Sequence, residues 1–220
     1  MLENRLILDI KKQQIETNLA SLFEDVDRAI GAAMFCLTGK HPEDCEALIS
    51  ADAGINDKRR LIEQDCLVAI ASQQPVAHDL RDLVADMRIA AELERIGDYA
   101  CDIAESVLEL NGLTHDTLGQ TDILAMSDLI LEMLANVAQA HRAGDVELAR
   151  RVATTNHDLD ARRKQVVDAL LAVMRSDWAM VENGTRMLWI VHSLERCGDR
   201  ATNIAEQVLF RVEGEQVDLD

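Results

Sequence analysis

One stretch of this chain occurs twice. LERIGDYACDIAE at residues 93–105 aligns without gaps against LERCGDRATNIAE at residues 194–206, with nine of thirteen positions identical. A repeat restricts the fold more than any single propensity, because each copy must be a unit able to pack against its twin. The segments around the copies repeat as well. DAGIN (52–56) corresponds to NHDLD (156–160), each with an oxygen-bearing side chain at both ends of a five-residue frame. Forty-two residues separate frame from motif in the first copy (52 to 94) and 39 in the second (156 to 195), so the loop between them is about three residues shorter there.

Breaks in the helical period divide each half into three. LTGKHP (37–42) ends a first helix and SQQP (72–75) a second, with Pro75 suited to the first turn of the third. NGLTHDTLGQT (111–121) is the longest polar, glycine-containing stretch and reads as a linker; Gly144 and RSDWAMVENG (175–184) then punctuate three more helices. Aromatic content is only 3% and there are two prolines, which disfavours strands. The expected fold is all-α: two tandem, sequence-related three-helix bundles, residues 1–112 and 121–213, joined by a linker at 113–120.

A formal charge of −18 repels phosphate backbones and anionic lipid, so nucleic acid and bare membrane are excluded as partners, and cations or basic protein surfaces are the natural complements. Five cysteines, scattered and without a CxxC, read as small core residues in a reducing compartment. The N-terminus lacks a signal-peptide pattern, and the apolar runs, such as 187–191, fall short of a membrane span. A cytoplasmic protein with no direct membrane insertion is expected.

The repeated motif puts acids in rows. Glu94, Asp98 and Asp102 recur every four residues, slightly more than one helical turn, so they share one side at a repulsive cost of a few tenths of a kcal/mol per pair. Met187, Val191, Leu194, Gly198, Ala201, Ala205 and Val208 form an apolar seam, with Glu195 and Asp199 along its edge. Leu93, Gly97, Ala100, Ala104 and Val107 repeat that seam beside Glu94 and Asp98. Glycine twice in equivalent seam positions costs about 1 kcal/mol each relative to alanine and points to close helix approach. On the second helix, Ile55, Ile62, Cys66 and Ala69 face inward, which brings Asp52 and Asn56 to the same edge.

Among 40 acids a lone ExxxD pair is most often a solvated face; its recurrence on equivalent helices singles this one out. Oxygen donors on facing helices suit magnesium, calcium, manganese or iron, and such a cation would relieve the row's repulsion. Asn56, Asn156 and Asn203 stand where a fully charged set would have acids. His157 and His192 lie near enough to act as secondary ligands.

With LERIGD (93–98), LERCGDR (194–200) and QPVAHDLR (74–81) in place, the chain resembles the PhoU family of bacterial phosphate-signalling regulators over roughly residues 21–212. The resemblance implies two three-helix bundles, a homodimer, and iron or zinc held by acidic pairs. Those pairs map onto Asp52 with Asn56, Glu94 with Asp98, Asn156 with Asp160, and Glu195 with Asp199. Because the first and third contain asparagine, the resemblance implies a site of one or two ions here. It also implies a cytoplasmic, non-enzymatic negative regulator that links the ATPase subunit of a phosphate ABC transporter to a sensor histidine kinase. The rival is a metal-dependent enzyme on a carboxylate-bridged bundle. Ferritin-like sites of that kind use Glu-x-x-His, and none of the six histidines has glutamate three residues before it.

Overall fold

In the computed structural model, residues 2–39, 41–110 and 119–219 are described. Six α-helices follow one another: α1 (Leu2–Gly39), α2 (Pro42–Gln73), α3 (His78–Leu108), α4 (Gln120–Ala143), α5 (Val146–Ser176) and α6 (Val181–Glu213). A 3-10 turn, Trp178–Met180, leads into α6. No strand occurs among the described residues. The proposed linker 113–120 falls mostly on residues 113–118, which lie outside the described residues.

Helix ends follow local chemistry. Pro42 opens α2, with Glu43 and Asp44 in its first turn, where the helix dipole favours anions. Gly144 turns at φ 64°, a conformation open to glycine without strain, and Asp145 then caps α5 by accepting from the Leu148 amide at 2.9 Å. Pro75 departs from expectation: it lies before α3, which starts at His78. Gln74 closes α2 in the left-handed region, its amide donating to the Ile70 carbonyl. Pro75 therefore acts as the stop after that cap. Ala77, which precedes α3, also has positive φ, at 47°.

Both seams are buried along their length, from Leu93 to Val107 on α3 and from Met187 to Val208 on α6. The most extensive helix contact joins the two halves: α3 packs on α6. Their antiparallel register is read from Arg88 with Gln207, Glu92 with Arg200, and Glu109 with Arg186. α4 corrects the expectation that no segment is long and apolar enough to span a bilayer. Its 24 residues meet that length and composition, and 44% of the most apolar stretch is buried in the bundle, against α5 and α6. A core helix satisfies the same criterion.

Candidate metal centre

In the first half the structure brings α2's Asp52 and Asn56 against α3 at the level of Gly97. A Cβ built on Gly97 would lie 3.0 Å from Ile55 Cδ1, tighter than ordinary contact, and 3.7 Å from Asp52 Oδ1, so the missing side chain makes room for Ile55, and Asp52 stands in contact range of the α3 backbone there. Asn56 Nδ2 donates to Asp52 Oδ2 at 2.5 Å, while Asp52 Oδ1 is buried with no hydrogen-bond partner. Asp98 is pushed up to about 6 by loss of solvent around its carboxylate and then by the charges of Glu94, Asp52 and Asp102, with Arg95 opposing. Desolvation also raises Asp102. Arg59 reaches Glu94 at 3.5 Å but sits closer to Glu63, at 2.5 Å.

The Asp98 carboxyl titrates near 6 in the fold and near 3.9 when unfolded, so between those values the folded state binds more protons. Its ionisation therefore removes stability as pH rises through about 6. In chelator-treated protein, Asp98→Asn should raise the thermal midpoint at about pH 7.5 and leave it unchanged near pH 4. Identical midpoints at the higher pH would mean that solvent already relieves the crowding.

The second half repeats the positions with closer cationic partners. Glu195 meets Arg163 at 3.2 Å and His192 Nδ1 at 3.0 Å, and Asp199 accepts from Arg196 at 2.9 Å. Asn156 is buried, and its Oδ1 lies 2.6 Å from where a Cβ on Gly198 would sit. Asp160 is exposed, at the mouth of an open cleft shared with Asn156, His157 and Asp199. Asn203, at the place of Asp102, is turned across the halves, its Nδ2 donating to Glu92 at 3.2 Å.

The two halves thus treat equivalent positions differently. An orphaned buried carboxylate oxygen beside like-charged neighbours fits a hard cation, and this holds in the first half. In the second half arginines of the chain pair with both Glu195 and Asp199, whereas in the first Arg59 reaches Glu94 from the equivalent position while Asp52 Oδ1 keeps no partner. Among the described residues, no group of three or more His, Cys, Asp or Glu side chains stands arranged to hold a metal ion. A cation in the first half would therefore gather carboxylates that are neighbours without yet converging.

Two features escaped the sequence reading. Arg59 and Arg163 each lie seven residues after the start of their oxygen-bearing frame and pair with the glutamate of the facing LER motif. That shared offset was the available signal.

The other feature is a polar seam between the halves. Asp82 and Asp86 of α3 are buried at 1% and 2% exposure. Asp82 accepts from Lys12 at 2.6 Å and from Arg211 Nε at 3.2 Å. Asp86 lies 2.7 Å from His141 Nε2, which lies 2.9 Å from Arg211 Nη1; that same nitrogen donates to the His141 carbonyl at 3.0 Å. Burial disfavours the Lys12 charge, but hydrogen bonds to Asp79 and Asp82 outweigh it and raise the Lys12 pKa. Asp79 is held below its ordinary value by the Lys12 hydrogen bond. α1, α3, α4 and α6 are thereby tied through one chain of polar contacts, in which Asp79 is an ion-pair partner of Lys12.

Fold and site together define a class: a duplicated three-helix protein whose packed third helices each carry the LERxGD motif and its acidic row. The chain belongs to the PhoU family, whose domain matches residues 19–107 and 123–208. Phosphate-specific transport system accessory protein PhoU homologs are similar along the whole chain. The one from Clostridium acetobutylicum is 31% identical, covering 98% of this chain and 99% of its own. That from Streptococcus pneumoniae is 30% identical, covering 96% and 98%. The crystal structure of the phosphate transport system regulatory protein PhoU from Streptococcus pneumoniae superposes with a TM-score of 0.88 at 28% identity, over 96% of this chain and 99% of that one. PhoU from Pseudomonas aeruginosa gives 0.89 at 26%, over 94% and 99%. This membership supports a role in the regulation of phosphate transport.

Proposed function

We propose that this chain is a cytoplasmic adaptor that restrains phosphate uptake and signalling, contacting the ATPase subunit of a phosphate ABC transporter and a sensor histidine kinase, and working as a homodimer. The observation that carries the reading is similarity along the full chain to transport accessory proteins, with both LERxGD copies and QPVAHDLR in place. Its part is contact and relay. A cation belongs to the same reading: Asp52, Glu94, Asp98 and Asp102 would hold it, with iron, zinc, manganese or magnesium as candidates. Bound there, it would neutralise the row and fasten α2 to α3, while Glu195 and Asp199 stay with their arginines.

The test is a reporter driven by a phosphate-starvation promoter in a bacterium lacking its own PhoU. Expression of this chain should restore repression in phosphate-rich medium, and crosslinking should recover the ATPase subunit and the kinase. A reporter that stays on at normal protein levels would refute the adaptor role.

A further inference from the structure

Cys36, Cys45, Cys66 and Cys197 are buried, whereas Cys101 on α3 is partly exposed. Two clefts meet at it. One runs along α2 and α3 and is lined by Asp52, Ile55, Gly97 and Cys101; the other lies on the outer side of α3, with Arg95, Asp98, Asp102 and Cys101. Helix geometry accounts for the place: at about 100° per residue, Cys101 sits roughly 20° from Glu94, 40° from Gly97 and 60° from Asp98, whereas Asp102 is about 140° from Gly97. Burial agrees, since Glu94 and Cys101 are half-buried while Asp98 and Asp102 are exposed. Cys101 is therefore the donor, one turn beyond Gly97, that shares a cleft with Asp52 and its buried, unpartnered Oδ1. Loss of solvent and then the charges of Asp52, Asp98, Asp102 and Glu105 push its thiol up to about 12, so without a cation it keeps its proton. The second copy has no counterpart. Thr202 stands at the equivalent position, fully buried, its hydroxyl donating to the Gly198 carbonyl at 3.3 Å.

We propose that Cys101 is a sulfur ligand of the first-half cation, closing a set with Asp52, Glu94 and Asp98 and selecting zinc or iron(II) over magnesium, calcium and manganese. Carboxylates alone suit a hard cation, whereas a thiolate among them favours softer ions, and a set of four donors matches the coordination number of zinc. On binding, the thiol gives its proton to water as the sulfur–metal bond forms, and beside a divalent charge the thiolate becomes the favoured form. The donors are neighbours that binding has to draw together, and for cysteine that is a rotation about χ1 alone. The inference rests on the cation reading of the first-half row and adds to it a ligand that none of the acidic pairs contains.

The experiment loads the chelator-treated full chain with cobalt(II), a spectroscopic stand-in for zinc, and reads two signals. Cobalt retained on gel filtration reports binding, and a near-ultraviolet thiolate-to-cobalt charge-transfer band reports sulfur. The parent should show both. Cys101→Ser should lose the band while keeping its helical circular dichroism. In competition titrations that variant should bind zinc at least about tenfold more weakly, with manganese affinity changed by less than about threefold. Maleimide labelling read by mass spectrometry needs no variant, which keeps the test open should Cys101→Ser misfold: zinc should protect Cys101 in the parent. Cobalt held without the band, a band that persists in Cys101→Ser, zinc and manganese weakened alike, or Cys101 labelled equally with and without zinc would overturn the sulfur ligand and leave the cation reading standing. Failure of the parent to bind either cobalt or zinc would fail the cation reading and the inference with it.

Discussion

Replacing Asp82 with alanine is expected to cost the fold about 3 kcal/mol, although the residue lies remote from the carboxylate rows. Asp82 is 1% exposed and accepts from Lys12 and Arg211, which retain only 18% and 16% side-chain exposure. Removing the shared acceptor leaves two largely desolvated cations each one partner short, Lys12 keeping Asp79 and Arg211 keeping Glu16 and the His141 carbonyl, and that partly uncompensated charge costs more than the lost ion pairs contribute. The lower end of the usual range for breaking a buried pair applies, because both cations keep some water. For a chain of this length the thermal midpoint should fall by roughly 6–12 °C. Asp82→Asn, which keeps one acceptor oxygen, should cost clearly less. A loss below about 1 kcal/mol on urea denaturation would mean that solvent replaces Asp82 at the seam.

The second large effect concerns the cation. If the first-half row binds manganese(II), saturation at a hundredfold excess over Kd stabilises the fold by about 2.7 kcal/mol. That corresponds to a rise of roughly 5–11 °C in thermal midpoint. Asp52→Ala should abolish the rise. Without metal the same variant should unfold within about 1 kcal/mol of the parent, since the side chain gives up only its bond with Asn56 while the unpartnered Oδ1 disappears. The two readings separate cleanly: a structural acid would lower the metal-free midpoint, whereas a ligand lowers only the response to manganese.

Much of the architecture was legible because the seams are simple. Steps of three and four between apolar residues located the buried faces of α3 and α6, and glycine or proline marked most helix ends. Pro75 misled because a proline beside a helix start can equally follow the cap of the preceding helix, and only the backbone of Gln74 decides. α4 was underestimated because its apolar residues are interspersed with polar ones, so no single run looked long. The polar seam was missed although its signal was present. Carrying the α3 seam back from Leu93 gives Ala90, Asp86 and Leu83, so one acid occupied a core position, with Asp82 beside the next, and both had to find polar partners. Those partners come from α1, α4 and α6, beyond the reach of any local pattern. The inequality of the two rows was half visible: asparagine at 156 and 203 showed the missing charge and Arg196 stands one turn before Asp199 on the same helix, but that Arg163 holds Glu195 required the packing of α5 on α6.

The most direct test of the unequal halves is metal content, measured by plasma mass spectrometry on protein purified without chelator or affinity-tag metal. The parent would be compared with Asp52→Ala/Asp98→Ala and with Glu195→Ala/Asp199→Ala. The expected result is about one ion per chain or more in the parent and in the second-half variant, and none in the first-half variant. Metal absent from the parent, or lost equally from both variants, would contradict the assignment of the cation to the first half.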